Sequence, residues 1–244
     1  VLPSPGFPEL ANALISNSIT CSTFTAQAVV TSTTSNIIYN WTGAGITSGA
    51  NTPTITVNTG GTYSLAVTNT ISMCTSSTTA FVPTNTTSPS PTANNTTTLT
   101  CSTTTANLIG APTSGVTYQW SGPSLTGPTT NSIAVANGPG TYTLRVTNSV
   151  NGCTNTATTL LSQNINAPSP TATNSTTLTC LTTTATLSGG PASGVTYLWS
   201  GPSLLAPLNN ATVSASGPGT YTLLVTDAVN GCTNTATTIL PQNI

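Results

Sequence analysis

The sequence predicts an all-β chain built as three tandem β-sandwich domains. Three observations predict it. Cysteine, tryptophan and tyrosine recur in phase every 79 or 80 residues along the 244-residue chain. Apolar residues alternate with threonine and serine in short runs, and Gly, Pro and Asn punctuate those runs. The expected domains are 1–87, with an N-terminal extension, then 88–166 and 167–244.

The third repeat shows the elements in order. Leu178 and Cys180 alternate with threonine and read as a first strand. Ala185 and Leu187 form a second, closed by Gly189-Gly190. Val195, Tyr197 and Trp199 form a third, closed by Ser200-Gly201-Pro202. After a variable stretch, Ala211, Val213 and Ala215 form a fourth. Gly217-Pro218-Gly219 turns the chain into a fifth, with Tyr221, Leu223 and Val225 on one face. Asn230-Gly231 is a tight turn, and a threonine-rich sixth strand runs from Cys232 to Leu240. No stretch has helical periodicity with caps.

The repeated aromatics are core candidates. Trp41, Trp120 and Trp199 recur every 79 residues, as do Tyr63, Tyr142 and Tyr221. Tyr39, Tyr118 and Tyr197 each stand two positions before a tryptophan, so each pair shares a face. An aromatic ligand platform is the competing reading, and a thin sandwich favours core. Arg145, flanked by Leu144 and Val146, falls on the opposite face and reads as solvated.

The six cysteines are Cys21, Cys74, Cys101, Cys153, Cys180 and Cys232, two per repeat and 52 or 53 residues apart. Six cysteines allow 15 pairings. The repeat makes one pairing within each domain the simplest: Cys21–Cys74, Cys101–Cys153 and Cys180–Cys232. Each such bridge is worth about 4 kcal/mol by chain entropy. Two cysteines per repeat without histidine make metal binding the weaker alternative. Disulfides in turn imply an oxidising location, secreted or on a cell surface.

Charge is nearly absent. The chain has one Lys or Arg, two Asp or Glu and no His, namely Arg145, Glu9 and Asp227. General-base histidine, a Ser-His-Asp triad and a Schiff-base lysine are excluded, so no enzyme is expected, and no metal or other cofactor. Nucleic acid needs a basic stripe that this chain lacks. No 18-residue apolar run spans a membrane. Hydrophobic residues are 36% of the chain, below the usual 45–50% or so. Threonine, at 59 residues, fills much of the difference and suits strands. A mucin-like stalk would not keep Trp and Cys in phase. No charged segment followed by an apolar core opens the chain, so Val1 reads as a mature or excised start.

The run Gly219-Thr-Tyr-Thr-Leu-Leu-Val-Thr-Asp-Ala-Val-Asn-Gly-Cys232 resembles the final hairpin of Ig-like repeats, close to the PKD type, as does Tyr197-x-Trp199 before a glycine turn. Such repeats occur in tandem in very large bacterial surface adhesins, many from gliding or biofilm-forming bacteria with a dedicated C-terminal-signal secretion route. The resemblance covers all three repeats and implies Ig-like sandwiches in an extracellular setting. It departs from the family in three ways. Ser200-Gly201-Pro202 stands where PKD-type units often carry acidic residues, so no calcium role transfers. Asn230 stands two residues before Cys232, so the antibody-type tyrosine corner is expected to be missing. The cysteine positions imply a bridge from first strand to last, unlike the antibody pattern. Without lysine, isopeptide bonds are impossible.

Two functions fit. The first is a structural protein: a subunit or segment of an extracellular filament or adhesin, with copies of itself or neighbouring repeats as partners. Pro-Ser-Pro at Pro3–Pro5, Pro89–Pro91 and Pro168–Pro170 would keep the linkers extended. The first linker is six residues longer and carries Phe7, Leu10, Leu14 and Ile15. These either pack on their own domain or dock on a neighbouring subunit as an added strand. The second function is a carbohydrate- or surface-binding module array of a larger secreted protein. Sheet edges without charge need other protection: neighbouring subunits, or glycans at the sequons of Asn40, Asn85, Asn94, Asn95, Asn174 and Asn210. Pro241-Gln-Asn-Ile244 resembles Ser162-Gln-Asn-Ile-Asn166, which leads into another repeat. A longer array and a subunit that stops there both fit.

Overall fold

The structure, a computed structural model, describes residues 6–243. The first Pro-Ser-Pro and Ile244 lie outside the described residues. The chain is all-β, with three sandwiches in tandem. By contact it divides into two compact units. One comprises the described part of Val1–Thr92 with Gly110–Gln119 and Leu144–Ala157; the other comprises Ala93–Ile109, Trp120–Thr143 and the described part of Thr158–Ile244.

Among the described residues the first repeat has nine strands: β1 (Leu14–Ile15), β2 (Ile19–Thr20), β3 (Ala26–Val29), β4 (Ile37–Thr42), β5 (Ile46–Ser48), β6 (Thr54–Val57), β7 (Gly61–Asn69), β8 (Thr75–Val82) and β9 (Thr84–Asn85). One sheet has the order β1-β3-β6-β5 and the other β4-β7-β8, while β2 pairs in parallel with β9. This is the ABED and CFG arrangement of a constant-type immunoglobulin sandwich. Alternation drives it: in β7, Tyr63, Leu65 and Val67 are buried. They join Ala28, Trp41, Ile55 and Val57 in one core.

The third repeat repeats the plan. Thr171–Asn174, Ala185–Gly190, Thr212–Ala215 and Leu204–Leu205 form one sheet in that order, and Val195–Ser200, Gly219–Asp227 and Thr233–Leu240 the other. Its core centres on Leu187, Trp199, Tyr221, Leu223 and Val225. The second repeat has the same two strand orders. Sequence periodicity misses two short edge strands, Thr171–Asn174 and Leu204–Leu205. The expected first strand at Leu178–Cys180 shrinks to one bridge, Leu178 with Gln242. Such short edges protect a sheet that has no charge to spend on the task.

Two expectations are corrected. The tyrosine corner is present. Tyr221 Oη donates within hydrogen-bond reach of the Gly217 carbonyl, four residues upstream, and Tyr142 Oη does so to Gly138 O at 2.6 Å. Tyr63 Oη lies 2.6 Å from both Thr59 O and Ala44 O. The corner depends on a tyrosine at the start of this strand and a turn carbonyl behind it, not on spacing to a cysteine. Gly43 explains the turn after Trp41: a Cβ there would meet the Tyr63 ring at 2.4 Å. The second correction concerns the disulfides: there are two, and neither lies within one domain.

Candidate functional site

The chemistry of this chain concentrates where one repeat meets the next. Cys21 of the first repeat is bonded to Cys153 of the second, with Cα atoms 4.9 Å apart. Cys101 of the second is bonded to Cys232 of the third, at 5.0 Å. The expected pairs Cys21–Cys74, Cys101–Cys153 and Cys180–Cys232 are therefore wrong. The reason is geometric. The first cysteine of a repeat follows the short strand that pairs with its own last strand, at the end where the following repeat begins. The second sits at the hairpin tip of its repeat, and that tip reaches back to the preceding one. No disulfide ties the first strand to the last of its own domain, contrary to what the resemblance had implied.

Each half of a joint is built by local hydrogen bonds. In the first-cysteine loop, Thr20 Oγ1 accepts from the Ser22 and Thr23 amides at 3.2 and 3.0 Å. Thr100 Oγ1 does the same for Ser102 and Thr103 at 3.3 and 2.9 Å. These are side-chain turns that compete well with regular strand. In the hairpin half, Asn148 Oδ1 accepts from Val150 N and Asn151 N, and Asp227 Oδ1 from Val229 N and Asn230 N. That accounts structurally for Asp227, one of the three charged residues.

Between the halves sits a buried asparagine. Asn151 is fully buried, and its Nδ2 donates to Asn85 Oδ1 and Thr87 O, both at 2.9 Å. Its Oδ1 accepts from Cys153 N at 2.9 Å. Asn230 repeats this with Asn164 Oδ1 at 3.1 Å, Asn166 O at 2.9 Å and Cys232 N at 2.9 Å. Every polar atom of each carboxamide that can bond within the joint does so, which is what makes burying it tolerable. Ser22 Oγ and Ser102 Oγ add bonds to Asn151 O and Asn230 O at 3.3 and 3.4 Å.

The linker prolines belong to the same construction. Asn155 Nδ2 donates to Pro89 O and Asn234 Nδ2 to Pro168 O, both at 3.1 Å. At the equivalent place in the first repeat, Ser76 Oγ donates to Pro8 O at 2.7 Å. Pro8 thus takes the position that Pro89 and Pro168 hold.

Trp41, Trp120, Trp199, Tyr63, Tyr142 and Tyr221 are all buried. Each indole Nε1 donates to a carbonyl eleven residues on, at 3.0 to 3.2 Å. Tyr39, Tyr118 and Tyr197 share the tryptophan face but are only half-buried at its rim. Tyr118 and Tyr197 bond the Pro112 and Pro191 carbonyls there. Leu10 and Ile15 pack partly against the first core, while Phe7 and Leu14 are 56% and 69% exposed. Leu14 and Ile15 already form strand β1 of their own sheet.

The sequons divide into two groups. Asn40, Asn85, Asn94 and Asn210 are exposed, although Asn85 Oδ1 is engaged by Asn151. Asn95 and Asn174 are committed instead to closing the sandwich edge. Asn174 Nδ2 reaches Thr238 Oγ1 and Ile239 O at 3.2 and 2.6 Å, and Asn95 Nδ2 reaches Thr159 Oγ1 and Leu160 O at 2.9 and 2.8 Å. Both bonds join an edge strand to the last strand, a role that the triplet rule does not reveal. A shallow cleft of 220 Å³ is lined by Glu9, Leu10, Ala11 and Thr31–Thr33. It falls below the range of typical small-molecule sites, and Glu9 Oε2 accepts from Thr33 Oγ1 there at 3.2 Å.

No family model matches the sequence, and no curated protein does. Among solved structures, three N-terminal domains of the highly immunogenic outer capsid protein (Hoc) of bacteriophage RB49 are 13% identical. That comparison covers 97% of this chain and 99% of that one, with a TM-score of 0.37. Extracellular domains 3–5 of Drosophila OTK are 13% identical over 98% of this chain and 92% of that one, at 0.29. Immunoglobulin domains 1–5 of Sidekick-1 are 14% identical over 96% of this chain, at 0.28, and this chain spans 59% of that structure's length. The Ig-like assignment rests on the strand order above.

Proposed function

We propose that this chain is a structural, non-catalytic extracellular protein: a subunit or segment of a cell-surface filament or adhesin built from Ig-like repeats. One observation carries the proposal. The disulfides join repeat to repeat and leave the inside of each repeat unbridged. A bridge within a domain protects only that domain, whereas a bridge between domains cross-links the joint itself.

The two bridges also interleave. The shortest covalent path from Cys21 to Cys232 crosses both bridges and the 52-residue step from Cys101 to Cys153, in place of a 211-residue backbone step. Fully extended, these steps differ by roughly 500 Å at about 3.3 Å per residue. A chain pulled at its ends is thereby kept short. Formation of such bridges needs an oxidising setting, and absence of histidine and lysine from the sequence agrees with a protein that does no acid–base chemistry.

Electron microscopy of the native material and of the purified chain tests the proposal. A regular fibre whose axial repeat matches one chain or one 79-residue unit is expected. Monodisperse particles at high concentration under oxidising conditions would exclude a self-assembling subunit.

A further inference from the structure

Two cysteines remain unbonded among the described residues: Cys74, partly exposed, and Cys180, exposed. They are not a random remainder. Each bridge pairs the first cysteine of one repeat with the second cysteine of the next. Applied to these three repeats, the rule leaves Cys74 and Cys180 without a partner among the described residues. These are the two complementary halves of one more joint.

We propose, on the filament reading above, that Cys180 forms a disulfide with Cys74 of a second copy of this chain, so that copies join head to tail by the bridge that joins successive repeats.

Both halves are already shaped for it. Around Cys180, Thr179 Oγ1 accepts from Leu181 N and Thr182 N at 3.2 and 3.0 Å, and Thr179 N donates to Thr182 O at 2.9 Å. The bonded loops of Cys21 and Cys101 have the same three bonds. Around Cys74, Asn69 Oδ1 accepts from Ile71 N and Ser72 N, and Met73 N donates to Asn69 O at 2.9 Å. That matches the hairpins of Cys153 and Cys232. Burial differs at the hairpin half alone, since bonded Cys101 is as exposed as Cys180. Cys153 and Cys232 are 0% and 1% exposed, while Cys74 is only half-buried.

Side chains next to the thiols change together. In the internal joints, Gly152 lies against the Ser22 side chain and Gly231 against the Ser102 side chain. In the unbonded halves these places hold Leu181, 97% exposed, and Met73, 73% exposed. Met73 keeps the positive φ of its counterparts, 58° against 70° for Gly152 and Gly231. A side chain is uncommon in that region, so its retention points to a contact that uses it. A Cβ on Gly152 would lie 2.6 Å from Ser22 Cβ. The joint between copies must therefore open by roughly an ångström to bring Leu181 and Met73 to van der Waals distance. It would hold an apolar pair where the internal joints hold a serine and a glycine.

The chemistry balances with an organic disulfide as oxidant, either a small molecule or a protein dithiol carrier in its oxidised form. One cysteine thiolate attacks a sulfur of the oxidant, forming a mixed disulfide and expelling a thiolate. The second cysteine attacks the mixed disulfide, forming Cys180–Cys74 and expelling the other thiolate. Two protons and two electrons leave the cysteines, and the oxidant is reduced to two thiols.

The full chain, produced in an oxidising compartment and treated with oxidised glutathione, tests this on a non-reducing gel with peptide mass spectrometry. Wild type should give a ladder in steps of 24.3 kDa that collapses on reduction. An equimolar mix of Cys74→Ser and Cys180→Ser should stop at a dimer containing the Cys180–Cys74 peptide, and each variant alone should stay monomeric. Dimers of single variants as abundant as in the mix, or no ladder, would overturn the proposal. Leu181→Asp should slow cross-linking severalfold with unchanged reactivity of the Cys180 thiol toward a small disulfide; an unchanged rate would refute the apolar contact. Cys74→Ser/Cys180→Ser should melt like the wild-type monomer with its two internal bridges intact, since neither residue is in either of them. Filaments from this double variant would overturn the bridge and leave the filament reading standing, whereas a ladder without filaments would do the reverse.

Discussion

Asn151 reaches 66 positions back along the chain to place its amide nitrogen 2.9 Å from Asn85 Oδ1, with its own side chain fully buried. Removing it leaves an acceptor on Asn85, the Thr87 carbonyl and the Cys153 amide without their partner. Asn151→Ala should cost about 2–3 kcal/mol, the scale for several buried groups left partly unsatisfied. Asn230→Ala should behave alike in the second joint. Urea denaturation of each variant checks both, and a loss below the error of the fit would show that water replaces the amide.

Gly152 and Gly231 should not accept a side chain. Each has a φ of 70°, and a Cβ would lie 2.6 Å from Ser22 Cβ and 2.8 Å from Ser102 Cβ respectively. Gly152→Ala should destabilise by about 1–2 kcal/mol through the backbone alone, with the clash in addition. Ser22→Gly in the same chain should recover the clash and leave the backbone cost. A thermal-shift comparison of the single and double variants separates these two parts.

Tyr221 should set an alkaline limit. Burial pushes its phenol pKa above the ordinary value. Its neutral form is thus favoured by folding, so its contribution is full below the unfolded pKa of about 10 and is lost as pH rises through the folded value. Stability should therefore fall above about pH 10. Tyr221→Phe removes that limb for this site and costs about 1–2 kcal/mol at neutral pH, because the corner carbonyl loses its donor. Denaturant melts of the wild type and Tyr221→Phe at a series of pH values measure both effects.

The two bridges should dominate mechanical and thermal behaviour. Each closes a loop of 131 or 132 residues, for which chain entropy alone is worth about 5 kcal/mol. Reduction should lower the melting temperature markedly. In single-molecule pulling from the chain ends, it should also lengthen the unfolded contour by several hundred ångströms, on the order of 3.3 Å for each residue released. Bridges within single domains would predict three separate, smaller steps.

Much of the fold could be read from residue order. Val195, Tyr197 and Trp199 alternate with polar residues, and they form the strand Val195–Ser200. Tyr221, Leu223 and Val225 likewise line the buried face of Gly219–Asp227. Edge strands such as Leu204–Leu205 were hidden because two residues carry no period. The edge-closing bonds of Asn174 were hidden because the triplet is read locally, while its partners lie 64 and 65 positions away. Asn151 and Asn230 were hidden for a similar reason. At a hairpin tip an asparagine before glycine already has a sufficient local explanation as a turn residue.

Positions of the longer strands, the buried tryptophans and the 79-residue period were determined by the sequence itself, since alternation and turn chemistry act over a few neighbours. Cysteine pairing was decided only by tertiary structure. Cys21 and Cys74 are 53 positions apart and Cys21 and Cys153 are 132 apart, and neither number says which sulfur comes close. That depends on a hairpin tip of one repeat meeting a threonine-capped loop of the repeat before it. The same meeting buries Asn151 and Asn230 and leaves Cys74 and Cys180 unbonded among the described residues.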